Sequence, residues 1–443
     1  MKIKVITCLI TLFIITSSQL TAQQLNKAKM DSLFALIEAN NKGMGSLSIF
    51  KDGEEVYRKS IGYANLTNKQ PLNENTIFRI GSISKMYTAT ITMKLIEQEK
   101  LKLETKLSEF FPEVPNAENI TIEHMLRHRS GIYNVTNAPE YFTYMTQSVS
   151  GKQMVEKIAK YESLFTPGEK AEYSNSNYLL LTYIAEKITG KKFPDLLQEY
   201  ISKPHQLRYT KYGSKIDPKK NEALSYAKTS DWVPAPETHM SVPAGAGAIV
   251  STPSDVNKFL HLLFNGKIVS PNSLELMMNI QDGFGLGMFE MPFHNQKTYG
   301  HGGGIDGFST LAGYFPEEKV SIAYFSNGVM LPVNDIFVGA ASIYFDLPYE
   351  LPDFRDAITL KPEELDQYLG VYSSPTFPLK ITISKNSNTL YGQATGQSAF
   401  PLEAYDTNKF RFEQAGIQIE FSPEAGKLIL KQAGAMYELE KEG

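Results

Sequence analysis

Two periodicities divide the chain. Residues 46–51 and 54–60 alternate apolar and polar positions as half-buried strands do, and Asp52-Gly53 between them suits a tight hairpin turn. Ahead of them, residues 27–41 suit a helix. From residue 82 to about 99, Met86, Ala89, Met93 and Ile96 recur at three- and four-residue steps. That spacing predicts a helix with one apolar stripe and with Ser82 as its N-terminal cap. Residues 121–264 read as helices and loops, with turn signals at Pro167-Gly168 and across 243–247. Glycines cluster at 283–287 and 300–307, and residues 311–315 and 320–325 near them read as buried strands. An early hairpin, a helical middle and late strands predict an α+β domain whose antiparallel sheet draws on both ends of one segment, residues 23–346.

The pattern then changes. Pro348, Pro352 and Pro362 punctuate a linker, placed at residues 347–360. Beyond it, residues 379–384, 389–393, 410–413, 417–421, 427–431 and 436–439 are short, alternating and separated by turns. They predict a small all-β, barrel-like domain over residues 361–443.

A chain of 443 residues fits two or three domains, and 42% hydrophobic with 21% charged residues can build packed cores. Residues 1–22 have the layout of a secretion signal: Lys2 and Lys4, an apolar run over 5–15, and Leu20-Thr21-Ala22 as a cleavage site. The mature protein is therefore expected to be secreted or periplasmic. It would carry no membrane anchor, since that run is too short to span a bilayer. Cys8, the only cysteine, would leave with the signal and take disulfides, thiol nucleophiles and cysteine metal sites with it. Without Lys2 and Lys4 the chain has 42 basic and 48 acidic residues, a net of −6, which is no footprint for nucleic acid.

Candidate chemistry begins with S-x-x-K. The pattern occurs at Ser48/Lys51, Ser82/Lys85 and Ser225/Lys228, and about two occurrences are expected by chance. On a strand Ser48 and Lys51 face opposite ways, and Ser225 has no helical frame. Only Ser82 and Lys85 would stand one above the other on a helix, as a nucleophile beside its proton acceptor. The bland alternative is a capping serine with a solvated lysine. Other hydrolase signatures are missing: Ile80 stands where G-x-S-x-G needs glycine, and there is no H-E-x-x-H or phosphate-binding loop. No metal or cofactor is expected.

Further along stand Tyr173-Ser174-Asn175 and His301-Gly302-Gly303. In the order S-x-x-K, Y-x-N, K/H-x-G the chain resembles the serine penicillin-recognising enzymes. The branch it resembles holds class C β-lactamases, D-alanyl-D-alanine carboxypeptidases, D-aminopeptidases and esterases. A second Y-x-N, Tyr63-Ala64-Asn65, precedes Ser82 and is excluded by that order. MLRHRSG (125–131), FTPGEKAEYSN (165–175), GAGAIVSTPSD (245–255) and GFGLGMF (283–289) support the resemblance, which covers residues 27–344. The tail, opening with Gln367-Tyr368-Leu369-Gly370-Val371-Tyr372, resembles lipocalin-like barrels appended to some relatives. A lid, a substrate wall or a dimerisation face are roles it could take.

The resemblance implies catalysis by Ser82, Lys85 and Tyr173, with the base left open between lysine and tyrosine. Asn175 would hold the lysine and donate to a substrate carbonyl. Gly303 would let substrate backbone approach, and the N–H groups of Ser82 and Gly304 would form the oxyanion hole. His124 and His128 are assigned to structure. His301 departs from the lysine usual in class C β-lactamases. Histidine is mostly neutral at pH 7 and would charge as pH falls towards 6, so the substrate tilts from β-lactams towards small amides or esters. The leading reading is an exported acyl-enzyme hydrolase of small or short-peptide substrates containing D-amino acids. A β-lactamase and a non-turnover binding or sensor protein are the alternatives.

Overall fold

The computed structural model describes residues 25–432 and 435–442. The expected signal, residues 1–22 with Cys8, lies outside the described residues. Helix α1 (Lys27–Ala39) starts where the Asn26 side chain accepts the Lys29 N–H, and it buries Met30, Leu33, Phe34 and Ile37 along one stripe. Strands β1 (Gly43–Lys51) and β2 (Glu54–Ile61) form the expected hairpin.

The chain returns to this sheet more than two hundred residues later. Strands β3 (Phe289–Phe293), β4 (Gln296–Ile305), β5 (Phe308–Phe315) and β6 (Val320–Val329) complete a six-stranded sheet in the order β3-β4-β5-β6-β1-β2. Neighbours are antiparallel throughout, and β1 pairs with β6 from Gly43↔Val329 to Lys51↔Val320. One face packs Leu47, Ile49, Ile322 and Tyr324 against α1 and a late helix (Val333–Tyr344). The other face meets the helical segment.

Helix α2 (Ser84–Glu97) runs through the centre of that segment, and here the sequence reading needs correction. Residues 84–93 are all buried, so α2 has no solvated side opposite an apolar stripe. Its threonines are tolerated inside because Thr90 and Thr92 donate to the carbonyls of Met86 and Thr88, at 2.7 and 2.9 Å. Ser82 is also not the cap. It lies in a single 3-10 turn (Gly81–Ile83) ahead of the helix, and no side chain caps the start of α2. Helix α3 (Asn175–Thr189) crosses α2 and ends at Gly190 in the left-handed conformation. Helix α4 (Pro253–Phe264), capped by Thr252, packs on β1 and β6. The helix Val333–Tyr344 is α5.

After α5, residues 347–361 form no regular element, but Leu347, Tyr349, Leu351 and Phe354 pack onto the α1–α5 core. The tail closes into an antiparallel barrel of eight strands: Gly370–Ser374, Phe377–Asn386, Thr389–Ala394, Phe400–Asp406, Lys409–Phe412, Ile417–Ser422, Lys427–Gln432 and Ala435–Lys441. Alternate residues point inward, and Tyr368, Tyr372, Ile381, Phe410 and Phe421 fill its core. The sequence pattern missed the first and fourth of these strands. The barrel sits against α1 and α5, where Lys42 pairs with Glu413 at 3.0 Å. It is therefore across the sheet from Ser82, where it is neither a lid nor a wall of the cleft.

Candidate active site

The turn bearing Ser82 is wedged against strand β4. Gly81 adopts φ +51°, and a Cβ there would come within 2.8 Å of the Gly304 nitrogen. Gly303 is similarly confined: a Cβ would sit 2.1 Å from the Ile80 carbonyl oxygen. Thr310 on β5 donates to that same oxygen at 3.0 Å and so fixes the approach. Behind the turn, buried Arg79 donates to Asp306 at 2.7 Å and to Glu237 at 2.6 Å, tying the residues before Ser82 to the β4–β5 turn.

That turn also sets the direction of the backbone donors. Ile305 faces Phe308 across the two-residue loop Asp306-Gly307. The closing pair of such a hairpin exchanges hydrogen bonds, and every second pair of the ladder does the same. His301 and Gly303 therefore bond to β5, whereas the N–H groups of Gly302 and Gly304 point away from it. Strand β3 pairs with β4 only as far as Gly300, so this edge is open beside the exposed Gly304 and half-buried Ser82.

The sequence-predicted side chains converge here. Ser82 Oγ lies 2.9 Å from Lys85 Nζ and 2.9 Å from Tyr173 Oη. Lys85 Nζ also reaches Asn175 Oδ1 at 2.8 Å and the Ala246 carbonyl at 2.7 Å. Burial pushes the Lys85 ammonium well below its ordinary pKa and raises the Tyr173 phenol. Asn175 stands at the first turn of α3, where its amide Nδ2 donates to Asn134 at 3.3 Å and Thr136 at 3.1 Å. A substrate carbonyl would compete with those acceptors.

His301 lies on β4 with its ring 4.6 Å from that of Phe289 and 6.3 Å from that of Tyr173. It is 3% exposed, and burial with Lys85 nearby lowers its pKa to about 3. The expectation that it charges near pH 6 is thus corrected: the ring was read as solvated, and it is enclosed. The Tyr63-Ala64-Asn65 triplet forms a small strand paired with Gln70–Pro71, away from these groups. Ser48 is bonded to Glu55, and Ser225 accepts the Gly307 N–H.

Sequence reasoning undervalued His128. Its ring stacks on Tyr173 at 4.4 Å, and its Nδ1 accepts the Ser174 N–H at 3.1 Å. Burial holds it neutral too. It lies within MLRHRSG, and nothing local in that stretch indicates which ring it meets. Asn134, Thr136, Thr310 and the Ala246 carbonyl, also missed, come from distant segments, and Arg79, although only three residues before Ser82, owes its role to the distant Asp306 and Glu237.

A serine flanked by a buried amine and a phenol, facing an open strand edge, is the arrangement expected of a serine hydrolase site. The β-lactamase family model matches residues 33–336, and the chain belongs to that family; it is a serine hydrolase. It is 26% identical over 432 residues to a penicillin-binding protein of Bacillus subtilis, covering 90% of this chain and 94% of that one. The structure of D-amino acid amidase from Ochrobactrum anthropi SV3, complexed with L-phenylalanine amide, is similar with a TM-score of 0.62 at 26% identity. That match covers 68% of this chain and 91% of the other. The octameric penicillin-binding protein homologue from Pyrococcus abyssi shares the fold over 94% of this chain and 100% of its own, with a TM-score of 0.68 at 24% identity.

Proposed function

We propose that this chain is an exported hydrolase of small amides or esters containing D-amino acids, working through an acyl-enzyme on Ser82. The observation that carries the reading is the position of Ser82 Oγ, 2.9 Å from both Lys85 Nζ and Tyr173 Oη. With its pKa lowered, Lys85 supplies a neutral amine that takes the serine proton as Oγ attacks the carbonyl carbon. The Ser82 and Gly304 N–H groups hold the developing oxyanion. As the tetrahedral intermediate collapses, the bond to the leaving group breaks and Tyr173 relays a proton to that group. Water then repeats the sequence on the ester, releasing the acid and free Ser82.

The similarity to D-amino acid amidase supports the substrate class, and a neutral His301 offers a β-lactam carboxylate no charge. Export rests on the signal-like layout of residues 1–22. Intact-mass measurement with a fluorophosphonate probe should add one label, which Ser82→Ala abolishes while the protein stays folded. Hydrolysis of D-amino-acid amides and esters, and not of penicillins, should follow in the same preparation. Labelling that persists in Ser82→Ala would overturn the assignment.

A further inference from the structure

Between the barrel and the α1–α5 layer lies a cavity of about 240 Å³. Its walls are largely apolar, with Leu33, Ile37, Val338, Phe354, Ile417 and Met436 contributed from both sides. An apolar cavity of ~150 Å³ suffices to hold a benzene ring, so this one has room for a ring with a short chain.

One wall carries a carboxylate. Asp335, in the first turn of α5, lies against the barrel so closely that a methyl group on Gly416 would collide with its Oδ2. The other charges around the cavity are matched. Lys42 meets Glu413 at 3.0 Å, Lys431 meets Glu350 at 2.5 Å, Arg411 meets Glu403 at 2.9 Å, and Arg355 meets Asp353 at 2.7 Å. Among the described residues no cation and no hydrogen-bond donor reaches the Asp335 carboxylate. Burial alone raises it, to about 6. A helix start favours an acid, but it supplies this one with no donor. A half-buried carboxylate without a partner is costly to charge, and a guest that brings a positive charge relieves that cost.

We propose that this cavity is a binding site for a small apolar amine, its ammonium on Asp335 and its hydrocarbon body between the two walls. The site is separate from Ser82 and does not depend on the hydrolase reading. The charge of Asp335 selects an amine over a neutral molecule of the same shape, and the volume selects a body near one aromatic ring.

The test is calorimetric titration of the full chain carrying Ser82→Ala, at about pH 8, with 2-phenylethylamine and with the near-isosteric 2-phenylethanol. The amine should bind saturably and lose at least about tenfold in affinity in Asp335→Asn, while the alcohol binds both forms alike. Asparagine keeps the shape and removes an unmatched charge, so this variant should fold. A second variant, Val338→Phe, narrows the cavity and should weaken both molecules. The proposal is overturned if Asp335→Asn leaves amine affinity unchanged, as it would if the amine sat in the Ser82 cleft. It is equally overturned if no saturable binding is seen up to about 10 mM, the range of the weakest specific complexes.

Discussion

A substrate carboxylate should gain nothing from mild acidification, because burial keeps the His301 imidazole neutral. Moving a histidine pKa from 6.5 to about 3 corresponds to about 5 kcal/mol against protonating His301 in place. At pH 5 such a ring is about 1% protonated, whereas a solvated one would be about 97% protonated. A charge-assisted contact is worth roughly 1.5–3 kcal/mol, about 10- to 150-fold in rate or affinity, and above about pH 4 it would never develop. The assay compares two activated esters that differ only in one terminal carboxylate. Acylation of each is followed by stopped flow from about pH 5 to 8. Taking the ratio of the two rates cancels the titration of Lys85, which serves both. The ratio should stay flat within about twofold. A ratio that climbs towards acid with a midpoint near 6.5, and loses the climb in His301→Asn, would refute the enclosed neutral ring.

The same burial should show in stability. His301 has its folded pKa depressed, so between about pH 6.5 and 3 the unfolded chain holds a proton that the folded one does not, and stability falls with pH by about 1.4 kcal/mol per unit. At pH 5 the loss is about 2 kcal/mol from His301, with His128 acting in the same direction. Urea unfolding at pH 7 and 5 should therefore show a smaller acid loss when both histidines are asparagine, and an unchanged loss would show them solvated. Lys85→Ala and Tyr173→Phe should each lower turnover by about 100-fold or more in an ester assay, with substrate binding less affected. Near-native rates in both would remove the proton relay.

What the sequence made legible was set by period and by order. The barrel strands announce themselves through alternation, since each has a polar outer face, whereas β1, β5 and β6 are buried on both faces and are marked instead by the Asp52-Gly53 turn and by apolar runs. Helix α2 has no polar face, so its few apolar repeats suggested a stripe where the whole surface is covered. The barrel strand Phe400–Asp406 was missed for a related reason: Pro401 and two acids interrupt it, and only its pairing with the neighbouring strands holds it in the ladder. In the site, Ser82, Lys85, Tyr173 and His301 were found because their motifs are local. Their surroundings are not. Whether His301 is enclosed depends on Phe289 and Tyr173, and the support of Asn175 depends on Asn134 and Thr136, some forty residues distant. Burial, and with it charge state, is a property of the assembled fold.

That dependence bears on the one question the motifs left open, which group takes the serine proton. Both Lys85 and Tyr173 reach Ser82 Oγ at the same distance, so geometry alone favours neither. Burial separates them, because it always disfavours the charged form. For a lysine that form is the protonated one, so Lys85 is moved towards the neutral amine a base must be. For a tyrosine the charged form is the deprotonated one, so Tyr173 is moved away from the phenolate a base would have to be. The two shifts therefore oppose each other in their effect on function, and they favour lysine as acceptor and tyrosine as donor. The consequence is visible in kcat/KM against pH. The rate should rise with pH through one ionisation, that of Lys85, as the ammonium gives way to the amine. Tyr173→Phe should keep that rising limb at reduced amplitude, and Lys85→Ala should erase it. The reverse pattern, a limb lost with the phenol and kept without the amine, would make Tyr173 the base and the burial argument wrong.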